Sequence, residues 1–229
     1  MNMSVVNRLS AACVAIAALT ASVNASASST HYYAILWNPN DNSGNPNTGA
    51  AVNIRTDILH STCNIATHNF VNHEFWYGVT DGGAYWVEVG FKDGLDIGGG
   101  CQTQIDFWAD NRNGGGYNEH YPNNGWSLGT FYTAEVINSG SCAWNVLLGG
   151  LNIGTSTSNC QGTGRYLAGG LESTSQTTGS AKGFLSNWQT FNNTWKGGWD
   201  GSSTTENGQP FIEFLNNNSE TEETLNESF

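Results

Sequence analysis

Two acids stand where their neighbours give them little reason to be. In the stretch AYWVEVGF (84–91), Glu88 is the single charge in a run of aromatic and branched apolar residues. Such a run suits a pleated, half-buried strand, where a carboxylate loses hydration unless something compensates. A second acid, Glu172, ends the run YLAGGLE and stands just after Gly169-Gly170-Leu171. Two carboxyls brought close together split their titrations, one staying ionised while the other keeps its proton. Such a pair can take a proton from water and give one to a leaving group, which is hydrolysis in its simplest form. Ala168 and Gly170 beside Glu172 leave room for a substrate backbone.

Other reactive groups offer less. HNFVNHE (68–74) holds His68, His73 and Glu74, but the spacing fits neither a helical HExxH nor an i,i+2 pair on a strand. These two histidines, with His31, His60 and His120, are read as surface or loop residues. No GxSxG elbow is present, so a serine triad is rejected. The first residues read as a Sec-type leader, 1–27: Arg8, the apolar run Ala11–Val23, then Ala25-Ser26-Ala27 at a peptidase site. Cys13 leaves with it, and Cys63, Cys101, Cys142 and Cys160 remain. An even count in an exported chain reads as two disulfides. Three pairings are possible, and Cys63–Cys101 with Cys142–Cys160 is favoured, the second closing a hairpin-like loop. The wide spacings and the lack of a CxxC speak against a zinc site.

The elements that must hold the acids are strands. Period-two runs between Gly, Asn and Pro turns include 31–37, 50–59, 74–80, 84–91, 104–110, 117–121, 130–137, 143–148, 166–174, 184–191 and 210–215. No helical periodicity intervenes, so the expected fold is all-β, a sandwich or jelly roll of antiparallel sheets. Alternation puts Tyr85, Val87, Val89 and Phe91 on one face and Trp86 and Glu88 on the other. It opposes Leu167, Gly169 and Leu171 to Tyr166, Ala168, Gly170 and Glu172. It also opposes Ile105, Phe107 and Ala109 to Asp106, Trp108 and Asp110. Placed side by side, the faces bearing Trp86, Glu88, Asp106, Trp108 and Glu172 would line an acidic, aromatic trough.

Charge and composition narrow the partners. Of 229 residues, 19 are Asp or Glu and 7 are Lys or Arg, which leaves no basic patch for nucleic acid or an anionic membrane. One domain is expected over 28–205, and the chain is expected to be secreted and monomeric. The segment 206–229 carries six acids with no Lys or Arg, and its end, NNNSETEETLNESF, reads as a disordered tail. The nine tryptophans open a different reading, since aromatic platforms stack on sugar faces. WKGGWDG (195–201) and Trp126 are candidates for that role, whereas Trp144 reads as core.

The order of short motifs carries a resemblance. FWYGVTDGG (75–83), VEVGF (87–91), YNEHYP (117–122), WNVLLGG (144–150) and GGLES (169–173) follow one another as in the secreted glutamic peptidases, the fungal eqolisins and the neprosin-like enzymes. That resemblance implies a concanavalin-like β-sandwich with a catalytic dyad on its concave sheet. It implies Glu88 and Glu172 as the dyad, with Trp76, Asp81, Trp108, Glu119 and Tyr121 near the cleft. The implied activity is cleavage of peptide or protein substrates in acid, with no metal or cofactor needed. Two alternatives stay open: a sugar-binding sandwich without activity, and a glycoside hydrolase using the same two carboxylates on polysaccharide.

Overall fold

The computed structural model describes residues 32–37, 47–80, 85–112, 116–140, 142–157, 160, 162–174, 179–197, 202–206, 211–216 and 220–225. The strands 32–37 and those from 202 onward are described through their backbone pairing. The proposed leader and Asp81 lie outside these residues.

All regular structure among the described residues is β. The first strands are β1 (Tyr32–Trp37), β2 (Gly49–Arg55), β3 (His60–Ser61), β4 (Phe70–Gly78) and β5 (Trp86–Leu95). Next come β6 (Cys101–Arg112), β7 (Gly116–His120), β8 (Phe131–Gly140), β9 (Ala143–Leu148) and β10 (Leu151–Ser156). The last are β11 (Tyr166–Ser173), β12 (Gly179–Asn192), β13 (Thr194–Gly197), β14 (Ser202–Glu206), β15 (Phe211–Asn216) and β16 (Glu220–Leu225). They build two antiparallel sheets. One has the order β14-β1-β11-β4-β5-β6-β7, the other β10-β9-β8-β2-β12-β16-β15, with β3 and β13 added on β12.

The sheets pack face to face, β4, β5 and β11 of the first through their odd-numbered residues. Phe75, Tyr77, Val87, Val89, Phe91, Leu167 and Leu171 meet Val52, Ile54, Val136, Trp144, Val146, Leu185 and Trp188 of the second. Phe75 meets the edge of Trp188 at 6.1 Å between ring centres, and Tyr77 that of Trp144 at 5.7 Å. Side chains so fully withdrawn from water each contribute about 1.5–3 kcal/mol, and this layer holds the molecule together. Trp144 lies in it, as its surroundings in sequence suggested. His73 also faces it, fully buried on β4 between Phe91 and Leu171 in register. Its imidazole is neutral there, because burial lowers its pKa to about 3. The expectation of surface or loop histidines fails at this position.

Both expected disulfides form, Cys63–Cys101 and Cys142–Cys160. Bonds of this kind suit an oxidising compartment. Two expectations about irregular segments need correction. Thr194–Gly197, overlapping the start of WKGGWDG, which was not among the expected strands, pairs with β12 as β13. The acidic end, read as a disordered tail, forms β16 between β12 and β15. Two ladders of backbone hydrogen bonds, one to β12 and one to the apolar strand FIEFLN, hold it. Its charged composition had argued for solvation, but ladder pairing depends on the backbone.

Candidate active site

The other face of the first sheet carries the acids. In an antiparallel pair, residues directly opposite each other point to the same side. Trp76 of β4 stands opposite Glu88 of β5, Asn72 opposite both Lys92 of β5 and Glu172 of β11, and Ala109 of β6 opposite Glu88. Glu119 of β7 continues the row beyond Ala109. Glu88 and Glu172 therefore share one face of one sheet, with β4 between them. Alternation had assigned both correctly, because β5 and β11 each reserve one parity for apolar residues.

A third carboxyl lies on that intervening strand. Glu74 sits between Asn72 and Trp76 on the same face and is fully buried. The reading from sequence named it only within HNFVNHE and gave it no role. Alternation along FVNHEFWYG would have placed it beside Trp76, but that strand is large and aromatic on both parities, so neither face announced itself.

Two residues assigned to the trough face the other way. Asp106 stands opposite Phe91 and Trp108 opposite Val89, so both point to the inter-sheet side. Asp106 accepts from the backbone N and the Nδ2 of Asn124 at 3.0 and 2.7 Å, and so anchors the loop after β7. Trp108 joins the core, stacks on His120 with 4.0 Å between ring centres, and lies flat against Gly154 of β10. A Cβ at Gly154 would come within 2.2 Å of that indole, so the glycine makes room for it. Strand β6 carries large side chains on both faces, and its sequence alone could not say which parity met the core.

Around Glu88 the remaining partners converge. The indole Nε1 of Trp86 donates a short hydrogen bond to its Oε1, and the Tyr117 hydroxyl lies 2.9 Å from its Oε2. The same hydroxyl lies 3.1 Å from Glu119 Oε1. It has one proton and two acceptors. When it donates to Glu119, a protonated Glu88 completes the chain by donating to the phenol oxygen. Glu119 pairs with Lys92 Nζ at 2.9 Å, both side chains nearly out of contact with water, and accepts from the Tyr121 hydroxyl as well. Trp76 and Trp86 pack together with Tyr117 and Ala168 as an aromatic wall beside the acids. The face thus brings Trp76, Trp86, Glu88, Glu119, Tyr121 and Glu172 into one neighbourhood.

Electrostatics follow from this inventory. Glu74, Glu88 and Glu172 are buried together, while the buried cation of the face, Lys92, is already engaged by Glu119. Buried like charges cannot all stay ionised, so protons must be held within the group. Burial and then the neighbouring Glu172 push Glu88 up to about 8, against the opposing pull of its Trp86 and Tyr117 donors. Burial, then Glu172 and Glu88, raise Glu74 well above the ordinary carboxylate range. Burial and the surrounding carboxylates also raise Tyr117, so its phenol keeps its proton. Among the described residues no three His, Cys, Asp or Glu side chains converge as a metal-binding group. The acids are instead spaced as neighbours across strands, suited to holding and passing protons.

No protein-family profile and no curated protein matches the sequence. Solved structures do match the fold. Scytalido-glutamic peptidase with a peptide-based transition-state analogue aligns with TM-score 0.53 at 10% identity, over 87% of this chain and 100% of that one. The same peptidase with a transition-state analogue inhibitor gives 0.53 at 11%, over 87% and 100%. SCP-B, an eqolisin-family peptidase in complex with the tripeptide Ala-Ile-His, gives 0.48 at 11%, again over 87% and 100%. At such identities the two alignments at TM-score 0.53 establish the two-sheet sandwich architecture and nothing finer.

Proposed function

We propose that the chain is a secreted, monomeric endopeptidase of the glutamic type, hydrolysing peptide bonds in acid with Glu88 and Glu172. The observation that carries this reading is that both acids lie buried on one sheet face, where burial and the neighbouring Glu172 raise the proton affinity of Glu88. In the proposed cycle, ionised Glu172 takes a proton from water as the water oxygen bonds to the scissile carbonyl carbon. Glu88 gives its proton to the carbonyl oxygen as that oxygen gains charge. When the tetrahedral species collapses, the C–N bond breaks and Glu172 gives its proton to the leaving nitrogen. The carbonyl reforms and returns the other proton to Glu88, so both acids end as they began. The wall of Trp76, Trp86 and Tyr117 would exclude water from the acids. The sandwich fold shared with Scytalido-glutamic peptidase supports the reading at the level of architecture.

The test is hydrolysis of denatured casein at pH 3–5 by purified protein and by Glu88→Gln and Glu172→Gln. Each substitution removes one proton carrier, and the expected loss is about 10²–10⁴-fold in kcat. Cleavage that survives both would discard the pair. Hydrolysis of a polysaccharide with the same dependence on Glu88 and Glu172 would instead assign the pair to glycosidic bonds. A sugar-stacking platform has less support: Trp76, Trp86, Trp108, Trp144 and Trp188 are buried, and among the tryptophans whose side chains are described Trp195 alone is exposed.

A further inference from the structure

Glu74 takes no part in the proposed bond-making steps, yet it is the most withdrawn of the three acids. It is 0% exposed, against 4% for Glu88 and 7% for Glu172. Its place is built by both neighbouring strands. Gly170 of β11 and Gly90 of β5 stand directly opposite it. A Cβ at Gly90 would lie 2.9 Å from Glu74 Cβ and 2.2 Å from the carbonyl oxygen of His73. Bare backbone on both sides thus lets this carboxyl lie deep in the sheet face.

The groups facing it decide its charge. Glu172 comes from β11, Glu88 and Lys92 from β5, and Tyr117 and Glu119 from β7; Tyr33 of β1 stands opposite Glu172 in register. The ammonium of Lys92 is bound to Glu119. Asn72 Nδ2 donates to Glu74 Oε2 at 3.2 Å, while Oε1 is buried without an ordinary hydrogen-bond partner. Glu172 lies on the same face of the adjoining strand, two residues from the Gly170 that stands opposite Glu74, and both carboxyls are buried. Two buried carboxyls so placed share a proton, since two bare carboxylates would repel. The deeper one, farther from water, loses more by carrying charge. We propose that Glu74 is a positioning residue: protonated, it donates to Glu172 and keeps that carboxyl ionised and aimed at the attacking water. Its consequence for catalysis rests on the peptidase reading; the hydrogen bond itself does not.

The experiment compares Glu74→Gln with Glu74→Leu in the full chain. The amide of Gln is a neutral donor and stands in for the protonated acid, whereas Leu fills similar space and donates nothing. Loss of a donor raises the pKa of the carboxyl it served. Glu74→Leu should therefore move the acid limb of kcat/KM up by about one to two pH units. It should also lower kcat by about 10²-fold with KM little changed. Glu74→Gln should keep the acid limb in place and recover most of kcat. A second readout needs no turnover: carbon-13 NMR titration of glutamate-labelled protein, with Glu172 assigned through Glu172→Gln. The expected result is a raised Glu172 titration in Glu74→Leu and an unchanged one in Glu74→Gln. If this pattern appears in a protein that cleaves no peptide, the positioning role stands and the peptidase reading falls. Equal damage from both substitutions with an unmoved pH profile, or a titration showing Glu74 ionised beside a protonated Glu172, overturns the proposal.

Discussion

At the residue scale, the behaviour of Glu88 is a contest that the structure makes legible. Burial and Glu172 push its proton affinity up, and the Trp86 and Tyr117 donors pull it down. Removing one donor should tip the balance. In Tyr117→Phe the ring and its packing stay, but the ionised form of Glu88 loses a hydrogen bond worth about one to two pH units. Glu88 then keeps its proton to higher pH, so the alkaline limb of kcat/KM should rise by that amount. A profile that stays put or moves down would show that Tyr117 donates to Glu119 alone. The two acids at the ends of this contest were legible in the sequence, because β5 and β11 carry their apolar residues on one parity. Glu74 was not, because its neighbours Phe75, Trp76 and Tyr77 are all large and leave no polar face to read.

At the scale of the strand, what matters is register and the space between neighbours. The E-x-G spacing of Glu88 and Gly90 has a plain steric content here. Gly90 lies so close to β4 that any Cβ would press on the backbone at His73 and Glu74. Gly90→Ala must shift one strand against the other, and overpacking of this sort costs about 1–3 kcal/mol. A lower urea midpoint at unchanged slope is the expected result, and an unchanged midpoint would mean that β5 yields freely. The same scale explains the inverted face of β6. Asp106, Phe107, Trp108 and Ala109 offer bulk on both sides, so period two is present without a sign. Only the pairing Val89↔Trp108 decides that the indole enters the core and meets Gly154.

At the scale of the whole molecule, the buried titratable groups set a pH dependence of folding. Glu88 titrates near 4.5 when unfolded and near 8 when folded, and Glu74 is raised in the same direction. A raised carboxyl binds more protons in the folded state, so its stabilisation is complete below about 4.5 and is lost as pH rises toward 8. His73 works oppositely: lowered from 6.5 to about 3, it destabilises the fold as pH falls through that window. Two acids outweigh one imidazole between pH 5 and 6.5, and above that the acids act unopposed. Thermal midpoints should therefore fall steadily from about pH 5 to pH 8, and Glu88→Gln should flatten the fall. A wild-type midpoint that climbs over this range would mean that these acids are ionised in the folded protein.

The sequence by itself determined the all-β class, the presence of two disulfides among four cysteines, and the orientation of Glu88 and Glu172 away from the apolar faces of their strands. Each of these follows from local pattern: side-chain alternation, turn residues and cysteine count. Tertiary structure alone decided that Glu74 lies between the two acids, that Asp106 and Trp108 face the core, and that the acidic end pairs as a strand. These depend on which strands become neighbours and in what register. A shift of one residue in that register reverses every side chain of a strand, and no local pattern with bulk on both faces can specify it.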